Sequence, residues 1–119
     1  MAQKTIDEKI KHLNTLILEG KALEGFDLYY DDEVVMQENE LAPTVGKKAN
    51  REREQNFFGS ITDFRGAKVL DLAVGENVSY VTWQFDYTHK DWGVRNYTQV
   101  SVQHWKDGKI VKEQFFYGN

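Results

Sequence analysis

QVSVQHWKDGKIVKEQFFY, residues 99–117, alternates on both sides of a turn at residues 106–109. Side chains in a strand point to opposite faces in turn, so residues two apart share a face. One face of the first strand carries Gln99, Ser101, Gln103 and Trp105. One face of the second carries Val111, Glu113, Phe115 and Tyr117. Two glutamines, a serine and a glutamate thus stand among aromatics on a hairpin. Ordinary core strands hold few such polar groups.

Outward from this hairpin, the second half of the chain reads as sheet. RGAKVLDLAVG (65–75), NVSYVTWQFDYTH (77–89), VRNYTQVSVQHW (94–105) and KIVKEQFFY (109–117) are strand patterns. Tight turns fall at VGEN and KDGK, and a looser one at KDWG. The first half reads helical. Ile6, Ile10, Leu13, Leu16 and Ile17 recur at helical spacing, Thr5 and Glu8 form a capping box, and Gly20 marks the stop. KALEGFDLYYDD predicts a short second helix, with Leu23, Phe26 and Tyr30 on one face. EVVMQENE predicts a strand, and KKANREREQNFFGSI a third helix whose Phe57, Phe58 and Ile61 face the core. Helices and one strand followed by an antiparallel meander make an α+β fold, with helices on one face of a mostly antiparallel sheet.

Composition bounds the function. The 119 residues suit a single domain over 1–119, and 40% hydrophobic content supports a core. A net charge of -4 argues against a nucleic-acid partner. With no cysteine, disulfides, thiol catalysis and cysteine-based zinc sites are excluded. No apolar run suits a signal peptide or a bilayer span, so the expectation is a cytoplasmic chain without a membrane partner. His12, His89 and His104 show no metal-ligand spacing, and no phosphate loop or dinucleotide fingerprint is present. Neither a metal nor a cofactor is expected.

The element order resembles the nuclear-transport-factor-2-like superfamily, in its SnoaL-like branch. The residues that carry the likeness are LYYDDEVVMQEN (28–39), TVGKKANRE (44–52) and HWKDGKIVKEQFFY (104–117), spread over most of the chain. The resemblance implies a cone, in which a strongly curved sheet wraps three helices around an internal pocket, and often a homodimer. Family members include ketosteroid isomerases, polyketide cyclases, dehydratases, epoxide hydrolases and non-catalytic modules, so the fold alone leaves the chemistry open. Ketosteroid isomerase, a standard case of a carboxylate base facing an oxyanion hole of a tyrosine and a neutral aspartic acid, sets the comparison. Those positions correspond here to Gln37, Leu13 and Ser101, so steroid isomerisation is not expected. The inward strand positions show no cyclase-type aspartate, and no inward arginine flanked by aspartates suggests epoxide hydrolysis.

The resemblance turns Gln99, Ser101, Gln103, Glu113 and Phe115 inward, and the more apolar face of residues 77–89 adds Trp83, Phe85 and Tyr87. These residues, with Gln37 and Asn50, are the candidate ligand contacts. Gln99 and Gln103 suit a subunit interface equally well, and the aromatics suit a plain core. Glu113, Glu54 and Glu38 are the candidate acid/base groups, since a desolvated carboxyl has a raised pKa and can exchange protons near neutrality. Each has a plainer placement. Glu113 suits a rim ion pair, Glu54 a solvated first turn beside Arg51 and Arg53, and Glu38 faces inward only if a bulge shifts the register. Two functions follow as expectations. One is a cofactor-independent acid–base enzyme (cyclase, isomerase, dehydratase or hydrolase) acting on a small apolar substrate. The other is a non-catalytic ligand-binding or dimerisation module.

Overall fold

The computed structural model describes residues 5–118. Helix α1 spans Ile6–Leu18, opened by a capping box in which the Glu8 N–H donates to Thr5 Oγ1 at 3.2 Å and the Thr5 N–H donates to Glu8 Oε1 at 3.3 Å. These bonds satisfy donors that a helix start leaves without partners. Ile10, Leu13 and Leu16 form its buried stripe. Gly20, at φ 78°, takes the left-handed conformation that stops the chain from continuing as helix. Helix α2, Ala22–Tyr29, crosses close to α1 at Gly25, where a Cβ would come within 2.6 Å of Leu13 Cδ1.

Strand β1 (Tyr30–Glu38) leaves α2 directly, three residues before the sequence pattern begins it. A two-residue strand, β2 (Thr44–Val45), pairs with β1 and lies between the predicted strand and the predicted third helix. Helix α3 (Lys47–Gly59) follows, then β3 (Ile61–Val74), β4 (Val78–His89), β5 (Gly93–Lys106) and β6 (Lys109–Tyr117). The six strands form one sheet in the order β2-β1-β6-β5-β4-β3. All neighbours are antiparallel except β1 and β6. The fold is α+β with a mostly antiparallel sheet, as the patterning predicts. Irregular pairing near Ile61, Phe64 and Val69 bends β3 against β4. The β5–β6 turn places Asp107 at φ 52° and Gly108 at φ 80°, the two successive left-handed residues of a tight hairpin turn.

The core lies between α1, α2 and one sheet face, with Ile10, Phe26, Val34, Val81, Trp105 and Ile110 all buried. Two expectations fail here. Val111 is only partly buried, because the pairing slips between His104/Lys112 and Trp105/Ile110 and the fully buried Ile110 takes the inward place. Phe58 is exposed, because α3 packs through Phe57, and Ile61 already belongs to β3.

Candidate functional site

One sheet face and the helices enclose a cavity of about 1260 Å³. The register of β4 and β5 builds one wall. Ser79 faces Gln103, Val81 faces Ser101, Trp83 faces Gln99, Phe85 faces Tyr97 and Tyr87 faces Arg95. Burial grades along this wall. Ser79, Gln103 and Trp105 are sealed at one end, whereas Trp92 is exposed at the other, which marks the mouth. Trp83 and Phe85 stack at 5.3 Å and 12°, giving a flat apolar surface between the two ends.

The sealed end is a directed hydrogen-bond chain. An indole N–H can only donate, and Trp105 Nε1 gives its proton to Ser79 Oγ at 2.9 Å. Ser79 donates in turn to Gln103 Oε1 at 2.6 Å. That fixes the amide, so Gln103 Nε2 donates to Glu113 Oε2 at 2.7 Å. The Tyr30 hydroxyl donates to Glu113 Oε1. Glu113, only 4% exposed, therefore receives two aimed donors but no cation. Burial pushes its carboxyl up to about 7, while the bonds from Tyr30 and Gln103 pull the other way. Burial, then the Glu113 charge, raises Tyr30 well above the usual phenol range.

Glu54 has a different setting. It projects from α3 into the cavity, and among the described residues its carboxylate has no hydrogen bond or ion pair. Burial pushes it up to about 7, with further upward contributions from the Glu113 and Glu38 charges and a downward one from Arg53. Glu38 is compensated. Arg53 Nη2 lies 2.9 Å from its Oε2, and the Tyr117 hydroxyl donates to its Oε1 at 3.1 Å. Burial raises Tyr117 to about 12.

The structure gathers most of the sequence candidates around this cavity. Glu38, Glu54, Glu113, Trp83, Phe85, Tyr87, Gln99, Ser101, Gln103 and Phe115 all line it. Glu38 faces inward by simple alternation with Met36 and Val34, with no bulge beside it. That same alternation turns Gln37 away, and its amide donates to the Leu41 carbonyl at 2.8 Å instead. Asn50 is also outside the cavity. It is buried, and its Nδ2 lies within hydrogen-bond distance of the Val34, Thr44 and Gly46 carbonyls, pinning the start of α3 to the β1–β2 edge. The aim of Gln37 and Asn50 at a ligand is therefore corrected.

Other lining residues escaped the sequence reading. Tyr30 was taken as part of a helix face, yet it opens β1 and reaches Glu113. Arg95 and Tyr97 continue the inward set of β5 four and two residues before Gln99, so the period-two rule contained them. Buried Asn14 also lines the cavity and, among the described residues, makes no side-chain hydrogen bond. His89 stacks on Trp92 at 3.8 Å near the mouth. Among the described residues, no group of three histidine, aspartate or glutamate side chains is arranged to hold a metal ion, and no helix is long and apolar enough to cross a membrane.

The chain thus combines an α+β fold with an aromatic, carboxylate-bearing cavity. The chain belongs to the SnoaL-like domain family, whose profile matches residues 3–117. Among solved structures, it is similar to a SnoaL-like polyketide cyclase candidate from Mesorhizobium loti, with 25% identity and a TM-score of 0.86 over 96% of this chain and 100% of that one. It shares its fold with an LEH-like epoxide hydrolase from M. tuberculosis (10% identity, TM-score 0.73, 92% and 80% covered). It also shares it with a protein of ketosteroid-isomerase-like fold from Catenulispora acidiphila, crystallised in complex with trimethylamine (9% identity, TM-score 0.76, 96% and 88% covered). A search of curated proteins returns no match.

Proposed function

We propose that the chain is a cofactor-independent acid–base enzyme acting on a small, largely apolar molecule in the cavity. The observation that carries this reading is the placement of two carboxyls, Glu54 and Glu113, on one cavity, neither with an ion-pair partner among the described residues and both pushed up to about 7 by burial. Repulsion between carboxylates is mutual, so such a pair loses its protons in two steps. Between those steps it presents one acid and one base. Cyclisation, isomerisation and dehydration all require a proton removed at one atom and delivered at another. Glu54, with no hydrogen-bond partner, is the mobile member that meets substrate. Glu113, held by Tyr30 and Gln103, is the fixed one. Trp83, Phe85 and Phe115 supply apolar contact, and Gln99 and Ser101 supply polar contacts that orient the substrate.

NMR titration of the glutamate side-chain carboxyls tests the reading. Glu54 and Glu113 are expected to titrate near 7. Values near the ordinary 4.5 for both would overturn it. One observation favours the non-catalytic alternative: Glu113 is fully bonded within the protein, as a purely structural carboxylate would be. In that case Glu54 alone would titrate normally.

The reading includes a two-fold dimer. The sheet face away from the cavity carries Tyr80, Thr82, Gln84, Thr98, Val100, Val102 and His104, with Tyr80 at 43% and Phe116 at 40% exposure. Exposed aromatics beside β-branched residues suit a self-complementary interface. Light scattering at micromolar concentration is expected to give twice the chain mass. A monomer there, or a Tyr80→Lys variant that stays dimeric, would overturn this.

A further inference from the structure

The cavity contains a cation that no described residue neutralises. Arg95 lines it near the mouth, and its guanidinium carbon lies 5.0 Å from the centre of the Tyr97 ring. Its Nε is buried without a hydrogen bond. Among the described residues the guanidinium makes no ion pair, whereas Arg51, Arg53 and Arg65 each hold a carboxylate at 2.8–2.9 Å. Buried polar groups are nearly always satisfied, and a desolvated charge without a partner is costly. A guanidinium presents a flat fork of donors that matches a planar oxyanion. Stacking on Tyr97 holds that fork in place.

We infer that Arg95 binds the carboxylate of the ligand, so that the substrate class is a largely apolar monocarboxylic acid. The inference rests on the acid–base reading for what happens next, but not for binding. Two arguments narrow the class. First, the same cavity holds Glu38, Glu54 and Glu113, and only Glu38 has a cation. A dianion would meet net repulsion, whereas a single negative charge at Arg95 balances locally. Second, the geometry sets the ligand's direction. Arg95 is paired across the sheet with Tyr87, and Phe57 packs edge-on against Tyr87 at 5.6 Å. Glu54 precedes Phe57 by three residues on α3, which is about 4.5 Å along a helix. A carboxylate at Arg95 therefore places the ligand's apolar body against Phe57 and Tyr87, and its far carbons toward Glu54.

The test uses two probes of one shape, 2-naphthoate and the neutral 2-naphthylmethanol, titrated calorimetrically into the intact chain. Wild type is expected to bind naphthoate more tightly than the alcohol. In Arg95→Met, naphthoate is expected to weaken by about tenfold to a hundredfold, as loss of a charge-assisted hydrogen bond does, with the alcohol unchanged. Arg95→Lys should keep part of the preference. The Arg95→Met melting temperature is expected to be equal to or above wild type, because a half-buried charge with no described carboxylate partner, and its buried unbonded Nε, have been removed. Equal affinity of the probes for wild type, no naphthoate binding up to millimolar concentration, or equal weakening of both probes in Arg95→Met would overturn the inference. A charge preference with ordinary glutamate titration would leave it standing and sink the acid–base reading. The reverse result would do the opposite.

Discussion

Glu113→Gln is expected to make the protein more stable at pH 8 and to leave it unchanged at pH 4. The folded-state pKa of Glu113 is raised from 4.5 to about 7. A carboxyl with a raised pKa favours folding while it is protonated in both states, below the unfolded value. That advantage is lost as pH rises from about 4.5 through about 7. For a residue 4% exposed, the shift corresponds to about 3 kcal/mol at pH 8. The glutamine amide removes the titration and keeps the shape. Its oxygen accepts from Gln103, and its N–H₂ donates to Tyr30, whose hydroxyl turns to accept. Urea unfolding of both proteins from pH 4 to pH 8 measures the difference. Curves that run parallel across this range would show that Glu113 is not desolvated. In the acid–base reading, the same change lowers any turnover by at least about a hundredfold, the usual contribution of a positioned acid or base.

Gln103→Leu is expected to act in the opposite sense. It removes one of the two donors to Glu113 and the acceptor of the Ser79 proton. At pH 8 a buried carboxylate then keeps only Tyr30, at a cost of about 2–4 kcal/mol. The Glu113 pKa rises further, since one of the groups that lowers it is gone. Below pH 4.5 the carboxyl is neutral in both states, and only the loss of neutral hydrogen bonds remains. The penalty therefore grows with pH. Adding Glu113→Gln to Gln103→Leu should recover most of the loss at pH 8, giving a double-mutant coupling of more than about 1 kcal/mol. Additive effects would mean that the two residues act independently, contrary to the 2.7 Å bond between them.

Period-two alternation in the last hairpin groups Gln99, Ser101 and Gln103 on one strand and Glu113 and Phe115 on the other, the family resemblance turned both sets inward, and the structure has them on one face. Alternation fails at Val111 because a one-residue slip in pairing leaves no mark in the pattern of apolar and polar residues. Tyr30 was misread for a related reason. The apolar spacing of α2 runs on into β1 without a break, so the chain shows no boundary where helix becomes strand. Gln37 was placed by analogy rather than by period, and Asn50 by helical spacing back from Phe57 and Phe58 through Glu54. Counting inward from Val34 and Met36 selects Glu38, and the amide of Asn50 is spent on three carbonyls that only the folded chain brings together. The pairing of Arg53 with Glu38, and the absence of any described partner for Arg95, are three-dimensional facts with no local signature.

The parallel pairing of β1 with β6 joins segments far apart in the chain, and the Tyr30–Glu113 contact spans 83 residues. Such contacts carry a large loop-closure cost before they return any stabilisation. The β3–β4 and β4–β5 hairpins have short connections and can zip early. The Glu113 carboxyl is already carried by β6 when that strand docks on β1, and Tyr30 meets it only then. Desolvation of the charge thus falls in the closing step of assembly. Refolding on this account slows as pH rises through the range in which Glu113 ionises, because the late docking event must strip water from a carboxylate instead of a neutral acid.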